Sequence, residues 1–530
     1  MSSTSFSVQP VDLGAKLQKV NFGSERFQLE GYTTYHDIFA KKTAYNQGNN
    51  KKSDLSSGGG YDDVNGDGLS GLKDNSLCAA RFVYSLEYMG NEADPQKNLL
   101  AILAELYRIC CDGALIEIRC ANPLSEQRIA DPLKQRSLNA TTWAFFDRQQ
   151  RQEHKDPLTG LSWAQDERMA VVLEALDRSA INFKLLRTQL HLAPSFMQRV
   201  KAGAFKSQQE VQNAINAYPQ VVTATTFYLV CVKDESHSFA VANMPPCAPF
   251  AMRVYSNQTE DIYISQAINQ TGAWEPNESH IALTVLQQML ASARYQQGLK
   301  VANIGANIGW YCLLVGKLSP KISIDAFEPT PKTLEILTQN LKINALNEQV
   351  TLYPCAISDS VGQSDLFINE HNAGGNALQF TESDHDFDRS HKVTIITETL
   401  DRLYAERDPE EWPDFIIIDT EGHEQKVWNG AQKLFAAGWR PAIMTEFAPT
   451  LLKLRGECNY YIDWIEKYHY QAYCITRTPN QVTLIPQTVA DLQKLFEQLK
   501  DNTQGLYSDL LFVPDYFHFQ NGVFVIEPKD

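Results

Sequence analysis

The chain has 530 residues, 43% of them hydrophobic, 10% aromatic and 21% charged, which calls for two or three domains and excludes a disordered or low-complexity protein. A net charge of −16 excludes a basic footprint for nucleic acid over the whole chain. Ten cysteines without a CxxC pair exclude a zinc ribbon and point to buried free thiols. Met1–Pro10 lacks the basic start and apolar core of a signal peptide. No stretch reaches the roughly 18 apolar residues of a membrane span, so a cytoplasmic protein without membrane or nucleic-acid partners is expected. Gln47–Asp63 (QGNNKKSDLSSGGGYDD) is Gly/Ser-rich and predicts a loop excursion. It runs into Asp63-Val-Asn65-Gly-Asp67-Gly68, which copies the first half of a calcium loop with Asp74 at position twelve. Ser70 at the eighth position and aspartate at the twelfth depart from that pattern, and no metal is expected there. Thr226–Lys233 predicts a strand, and three prolines in Asn243–Pro249 stop regular structure after it. The expected domains are therefore 1–240 and 250–530, joined by 241–249.

In the second half, Leu299–Ile304 predicts a strand, Ile308–Leu318 a helix, Lys321–Phe327 a strand, Leu334–Leu346 a helix and Val350–Tyr353 a third strand. Lys392–Thr397 and Asp414–Asp419 follow as strands, then a helix over Glu424–Ala437 and a strand over Ala442–Glu446. Such alternation predicts a doubly wound, mostly parallel α/β sheet with helices on both faces and ligands beyond the carboxyl ends of its strands. Glu382–His391 mixes acids and histidines without ligand spacing and reads as a solvated loop at the site's mouth.

The first of these strands ends in Asn303-Ile304-Gly305-Ala306-Asn307-Ile308-Gly309, a glycine-bearing turn opening a helix. The spacing G-x-N-x-G is not the dinucleotide fingerprint G-x-G-x-x-G, which weakens a nicotinamide or flavin reading. Glu328, in Phe327-Glu328-Pro329, stands where an acid accepts hydrogen bonds from ribose hydroxyls, so the ligand expected is adenosyl. Ser358 and Asp359 follow the third strand, where an adenine ring would lie. Asp419-Thr420-Glu421-Gly422-His423-Glu424 then packs four ionisable side chains into six residues at a strand end. Helix capping by Thr420 and the acids explains part of that cluster; catalysis or substrate binding is the competing account.

These segments, in this order, resemble the FkbM-type S-adenosylmethionine-dependent methyltransferases over about 250–514. The resemblance also takes in Asp261-Ile-Tyr-Ile-Ser265, Gly272-Ala-Trp-Glu-Pro276, Thr399-Leu400-Asp401 and Asp509-Leu-Leu-Phe-Val-Pro514. It implies a Rossmann-like class I methyltransferase sheet of seven strands, S-adenosylmethionine as donor, and O-methylation of a hydroxyl on a glycan or secondary metabolite. It also implies that Asn303, Gly305, Ala306, Asn307, Gly309, Glu328, Ser358 and Asp359 bind the donor, and that Trp274 and Glu275 bind the substrate. The candidate bases are Asp419, Glu421, His423, Glu424 and Glu446, with no metal. The family usually has aspartate where this chain has Asn303, which drops a charge opposite the donor's amino group.

The first half resembles another class I branch in a worn form: Val20-Asn-Phe-Gly23, Tyr84-Ser-Leu-Glu87-Tyr88, and Asp112-Gly113 where that branch has two glycines. It implies a second methyltransferase-like sheet that binds substrate or braces its neighbour. The alternative function is a non-catalytic donor-binding or scaffolding protein made of two such folds.

Overall fold

The computed structural model describes residues 8–22, 33–34, 72–87, 95–125, 129, 137–153, 162–163, 173–174, 176–256, 261, 263–369, 372–378, 387–454, 460–476, 482–502, 506–519 and 525–526. The expected loop at Gln47–Asp63, the calcium-like run through Ser70, and residues Gly23, Tyr88 and 382–386 lie outside them. Asp74 is described and is ion-paired with Arg108. Two compact units emerge, Leu17–Val241 and Met1–Lys16 with Ala242–Asp530. Among the described residues, no helix is long and apolar enough to cross a membrane.

The unit Leu17–Val241 is built on β1 (Gln18–Phe22), β2 (Thr33–Thr34), β3 (Leu77–Val83), β4 (Cys110–Ala121), β5 (Phe183–Leu192) and β6 (Val222–Cys231). They form one sheet in the order β2-β1-β3-β4-β6-β5, parallel from β2 to β4, with β6 antiparallel to both its neighbours. Alternation along each strand sends Phe82, Ile116, Ile118, Phe227 and Leu229 to a core shared with Leu103 and Leu106 of the helix Pro95–Ile109. The opposite positions mix buried Val83, Tyr228 and Val230 with polar pairs: Arg81 pairs with Glu117 at 3.0 Å, and the Arg119 side chain donates to Thr226 Oγ1 at 3.2 Å.

After β7 (Ser238–Ala242) and β8 (Phe250–Val254), the C-terminal unit adds β9 (Leu299–Ile304), β10 (Ile322–Phe327), β11 (Val350–Tyr353), β12 (Ala356–Ile357), β13 (Gly362–Asn369) and β14 (Phe387–Glu398). It continues with β15 (Phe415–Ile418), β16 (Ala442–Phe447), β17 (Tyr470–Ile475), β18 (Thr483–Gln487), β19 (Ser508–Pro514) and β20 (Val525–Ile526). The main sheet runs β11-β10-β9-β15-β16-β19-β17-β18-β20. Five parallel strands lead from β11 to β16, and β19 is antiparallel to β16 and β17. Apart from the added β18 and β20, this is the third-second-first-fourth-fifth-seventh-sixth order of a class I methyltransferase sheet.

Two expectations change. Lys392–Thr397 lies in β14, which pairs antiparallel with β13 and parallel with β12 in a separate three-stranded sheet, because β13 offers it a long hydrogen-bonded partner outside the main sheet. The helix foreseen over Glu424–Ala437 is two helices, Glu424–Asn429 and Gln432–Ala436. Gly430 separates them, pressed so close to Ser358 that a Cβ would stand 2.1 Å from its carbonyl oxygen. The Asp401 carboxylate then accepts from the backbone N–H groups of Lys433 and Leu434, both at 3.0 Å, and opens the second helix.

Candidate active site

Beyond the carboxyl ends of β9, β10 and β15 lies a cavity walled by Gly305, Asn307, Phe327, Glu328, Thr330, Ile357, Asp419, Glu421 and His423, with Leu366, Gly374 and Asn376 completing it. Gly305 has φ +80°, and a Cβ on it would sit 1.8 Å from the Asp419 carbonyl oxygen. Only glycine fits there. Asn307 adopts φ +48° and donates its backbone N–H to Glu328 Oε2 at 2.9 Å, while Thr330 N–H donates to Oε1 at 2.8 Å. Glu328 is buried, and burial raises its pKa against the pull of those two N–H groups. The Thr330 hydroxyl is a third donor to this carboxylate, which leaves one of its roughly four lone-pair sites for a ribose hydroxyl. An adenosyl donor fits these residues.

A second cavity opens next to the first and shares Asp419 with it. Glu275, Glu278, Tyr311, Ile417, Ile418, Met444, Thr445, Glu446 and Asp509 line the rest. Tyr311 OH donates to Glu275 Oε2 at 2.8 Å. Glu275 itself is held at φ +41°, ψ +65°, a costly backbone for a residue with a Cβ, at the start of the helix Pro276–Ala291. Burial raises the Asp419 pKa well above the carboxylate range, with further lift from the charges of Glu421, Glu424 and Asp509. Glu446 is raised likewise, by burial and then by Glu421, Asp419, Glu424 and Asp509.

The expected donor residues divide. Gly305, Asn307 and Glu328 line the first cavity, whereas Asn303, Ala306, Gly309, Ser358 and Asp359 line neither. Asn303 is buried and donates its amide to Cys312 Sγ at 3.2 Å. Gly309 (φ +96°) packs against Leu337, Ala306 N–H is bound to the Phe327 carbonyl, and Asp359 is exposed near Lys426. Ser358 acts one step removed, its hydroxyl 3.0 Å from His423 Nε2. Of the expected bases, Asp419, Glu421 and His423 face the first cavity, and Glu446 faces the second. Glu424 faces neither. Its Oε1 accepts from Thr420 N–H (3.1 Å), Thr420 Oγ1 (2.9 Å) and Gly422 N–H (3.2 Å), so it braces the loop that presents its neighbours. Trp274 lines neither cavity; its carbonyl accepts from Ser279 Oγ at 2.9 Å.

Residues 303–472 match the methyltransferase FkbM domain. The C-terminal unit carries an FkbM methyltransferase domain. Its methyl donor is S-adenosylmethionine, consistent with the fit of Gly305, Asn307 and Glu328 to an adenosyl group. The chain is 25% identical over 187 residues to methyltransferase sdnD of Sordaria araneosa, covering 29% of this chain and 72% of that protein. Among solved structures, it is similar to a precorrin-6y C5,15-methyltransferase from Geobacter metallireducens (14% identity, TM-score 0.23, 46% of this chain and 88% of that one). It is also similar to phosphoethanolamine N-methyltransferase 2 of Haemonchus contortus, solved with S-adenosyl-L-methionine (9% identity, TM-score 0.23, 95% and 96%).

Sequence reasoning on the FkbM domain passed over Glu278, Tyr311 and Asp509. Tyr311 directly follows the Gly309-Trp310 step, and Asp509 opens a motif already noted; both were visible as residues but not as neighbours.

Proposed function

We propose that the FkbM domain methylates a hydroxyl oxygen of a polar acceptor, a glycan or secondary metabolite, whose reacting hydroxyl reaches into the second cavity, a space of about 20 Å³ that takes a single polar group. The observation that supports this most is the shared wall at Asp419, which sets a carboxylate-lined pocket against the donor cavity. When bound, S-adenosylmethionine supplies a methyl group activated on a sulfonium. The chain's own part is to align the acceptor oxygen and take its proton. Glu446 is suited to the second task because its Oε2 is shut off from solvent and accepts no hydrogen bond. Its raised pKa brings it closer to that of the proton it must accept, which improves general-base catalysis. Asp419 and Tyr311 flank the oxygen.

The test is incubation of the protein with methyl-labelled S-adenosylmethionine and polar cell extracts, read by mass spectrometry. A labelled O-methyl product that Glu446→Gln forms roughly 10²–10⁴-fold more slowly is expected. Donor binding with no labelled product in any extract would sink the reading and favour the scaffolding alternative.

A further inference from the structure

Glu328 is the acid that meets the donor's ribose, and its carboxylate is well supplied with donors from the chain itself. Asn307 N–H donates to Oε2 at 2.9 Å and Thr330 N–H to Oε1 at 2.8 Å, and the Thr330 hydroxyl is the third. Thr330 stands at the N-cap of the helix Pro331–Ile343, where a threonine ordinarily turns its hydroxyl oxygen onto a backbone N–H of the first turn. Here the side chain makes no capping bond, and its hydroxyl is spent on Glu328 instead.

The loop after β13 fixes which way that hydroxyl points. Asn369 N–H donates to Asn376 Oδ1 at 2.8 Å, which turns the other end of the Asn376 amide towards Thr330, with Nδ2 donating to Oγ1 at 3.5 Å. An amide NH2 can only donate, so the threonine oxygen accepts from it and sends its own proton to Glu328. Thr330 and Glu328 are both buried and line the first cavity together with Asn376, so a bond given up there is not cheaply remade to solvent.

A carboxylate has about four lone-pair sites, and three of these are taken before any ligand arrives. A ribose offers two neighbouring hydroxyls, each with one proton to give, and only one of them can be received. We propose that Thr330 is a specificity-determining residue of the donor site: its hydroxyl fills one of the two places a ribose would use on Glu328, so the site reads a single ribose hydroxyl and admits an adenosyl ligand that lacks the other. The nature of the methyl acceptor plays no part in this.

Calorimetry on the full-length protein compares S-adenosylhomocysteine with its 2′-deoxy and 3′-deoxy analogues. One analogue should lose at least roughly tenfold in affinity, as the loss of a charge-assisted hydrogen bond requires, while the other stays within about threefold of S-adenosylhomocysteine. Thr330→Val, close in shape but without the hydroxyl, should open the filled place, so that both analogues lose roughly tenfold on that variant. Thr330→Ser keeps a hydroxyl and should keep the one-sided pattern. Losses by both analogues on the unsubstituted protein, or by neither, overturn the proposal, as does a one-sided pattern that survives in Thr330→Val. If Thr330→Val does not fold, the comparison on the unsubstituted protein decides by itself. Failure of S-adenosylhomocysteine to bind at all removes the donor site, and this proposal with it.

Discussion

The Glu446 carboxylate sits well above its ordinary pKa because it is buried and faces Glu421, Asp419, Glu424 and Asp509. In the unfolded chain the same group releases its proton near the ordinary value of about 4.3. Between that value and the raised folded one, the folded protein binds more protons than the unfolded, so stability is fully present below the lower limit and is lost as pH rises. Glu446→Gln removes this penalty. The variant should melt above the parent at neutral pH, with the difference vanishing towards pH 4, while turnover collapses; melting curves across pH check it, and a lower melting temperature at pH 7 would contradict the cause given. The parent's turnover should rise with pH through a midpoint above the ordinary carboxylate range. Asn303 makes the opposite case. Its position invites the idea that restoring aspartate would strengthen donor binding, yet its amide faces the Cys312 sulfur, whose thiol burial pushes up to about 12. Asn303→Asp should therefore destabilise, by about 1–3 kcal/mol for a buried polar group left unsatisfied, without tightening the donor. Denaturant unfolding and donor calorimetry decide between the two.

Elements carry the site as much as residues do. The break at Gly430 lets the loop bearing His423 dock on Ser358, so a Cβ there must push the Ser358 peptide away. Gly430→Ala should cost about 1–3 kcal/mol as overpacking does, and weaken donor binding along with it. Scanning fluorimetry with and without S-adenosylhomocysteine reads both, and an unshifted melt would mean the loop can move freely. The sequence carries no sign of that contact, since a lone glycine in a helical pattern reads as a tolerated weak spot. Gly305 and Glu328 were legible because their roles follow from place: the turn after one strand and the end of the next. Asp509 was not, because the antiparallel pairing of β19 with β16 brings it to the site from far along the chain, and Tyr311 was not, because it lies on the helix Trp310–Leu318 after β9 and meets Asp419 only through the pairing of β9 with distant β15. Lys392–Thr397 was legible as a strand and misplaced in its sheet for the same reason: period-two alternation names a strand without naming its partner.

At the scale of the molecule, the strand–helix rhythm of the second half was enough to foresee its parallel sheet, whereas the Arg81–Glu117 pair of the first unit needed the register to be seen. Two compact units call for two unfolding transitions. S-adenosylhomocysteine should raise only the one belonging to Ala242–Asp530, by about 2.7 kcal/mol at a hundredfold excess over Kd. A shift of both would place a donor site in Leu17–Val241 as well. The same transition should fall when residues 1–16 are deleted. Val11 N–H donates to the Leu352 carbonyl at 2.7 Å on edge strand β11, and Asn347 Nδ2 donates to the Leu13 carbonyl at 2.6 Å, so the deletion uncovers a sheet edge.

The Asp419 peptide has its carbonyl against Gly305 and the residue lines both cavities, so on the function proposed above one residue answers to two ligands. A lineage or a laboratory seeking a new acceptor cannot slide that peptide aside without disturbing the turn that receives the donor. Change of substrate is then channelled to the walls that carry no such double duty, Glu275, Tyr311 and Asp509. Libraries randomised there should yield altered acceptor preference with donor affinity intact, and libraries at Asp419 mostly dead protein.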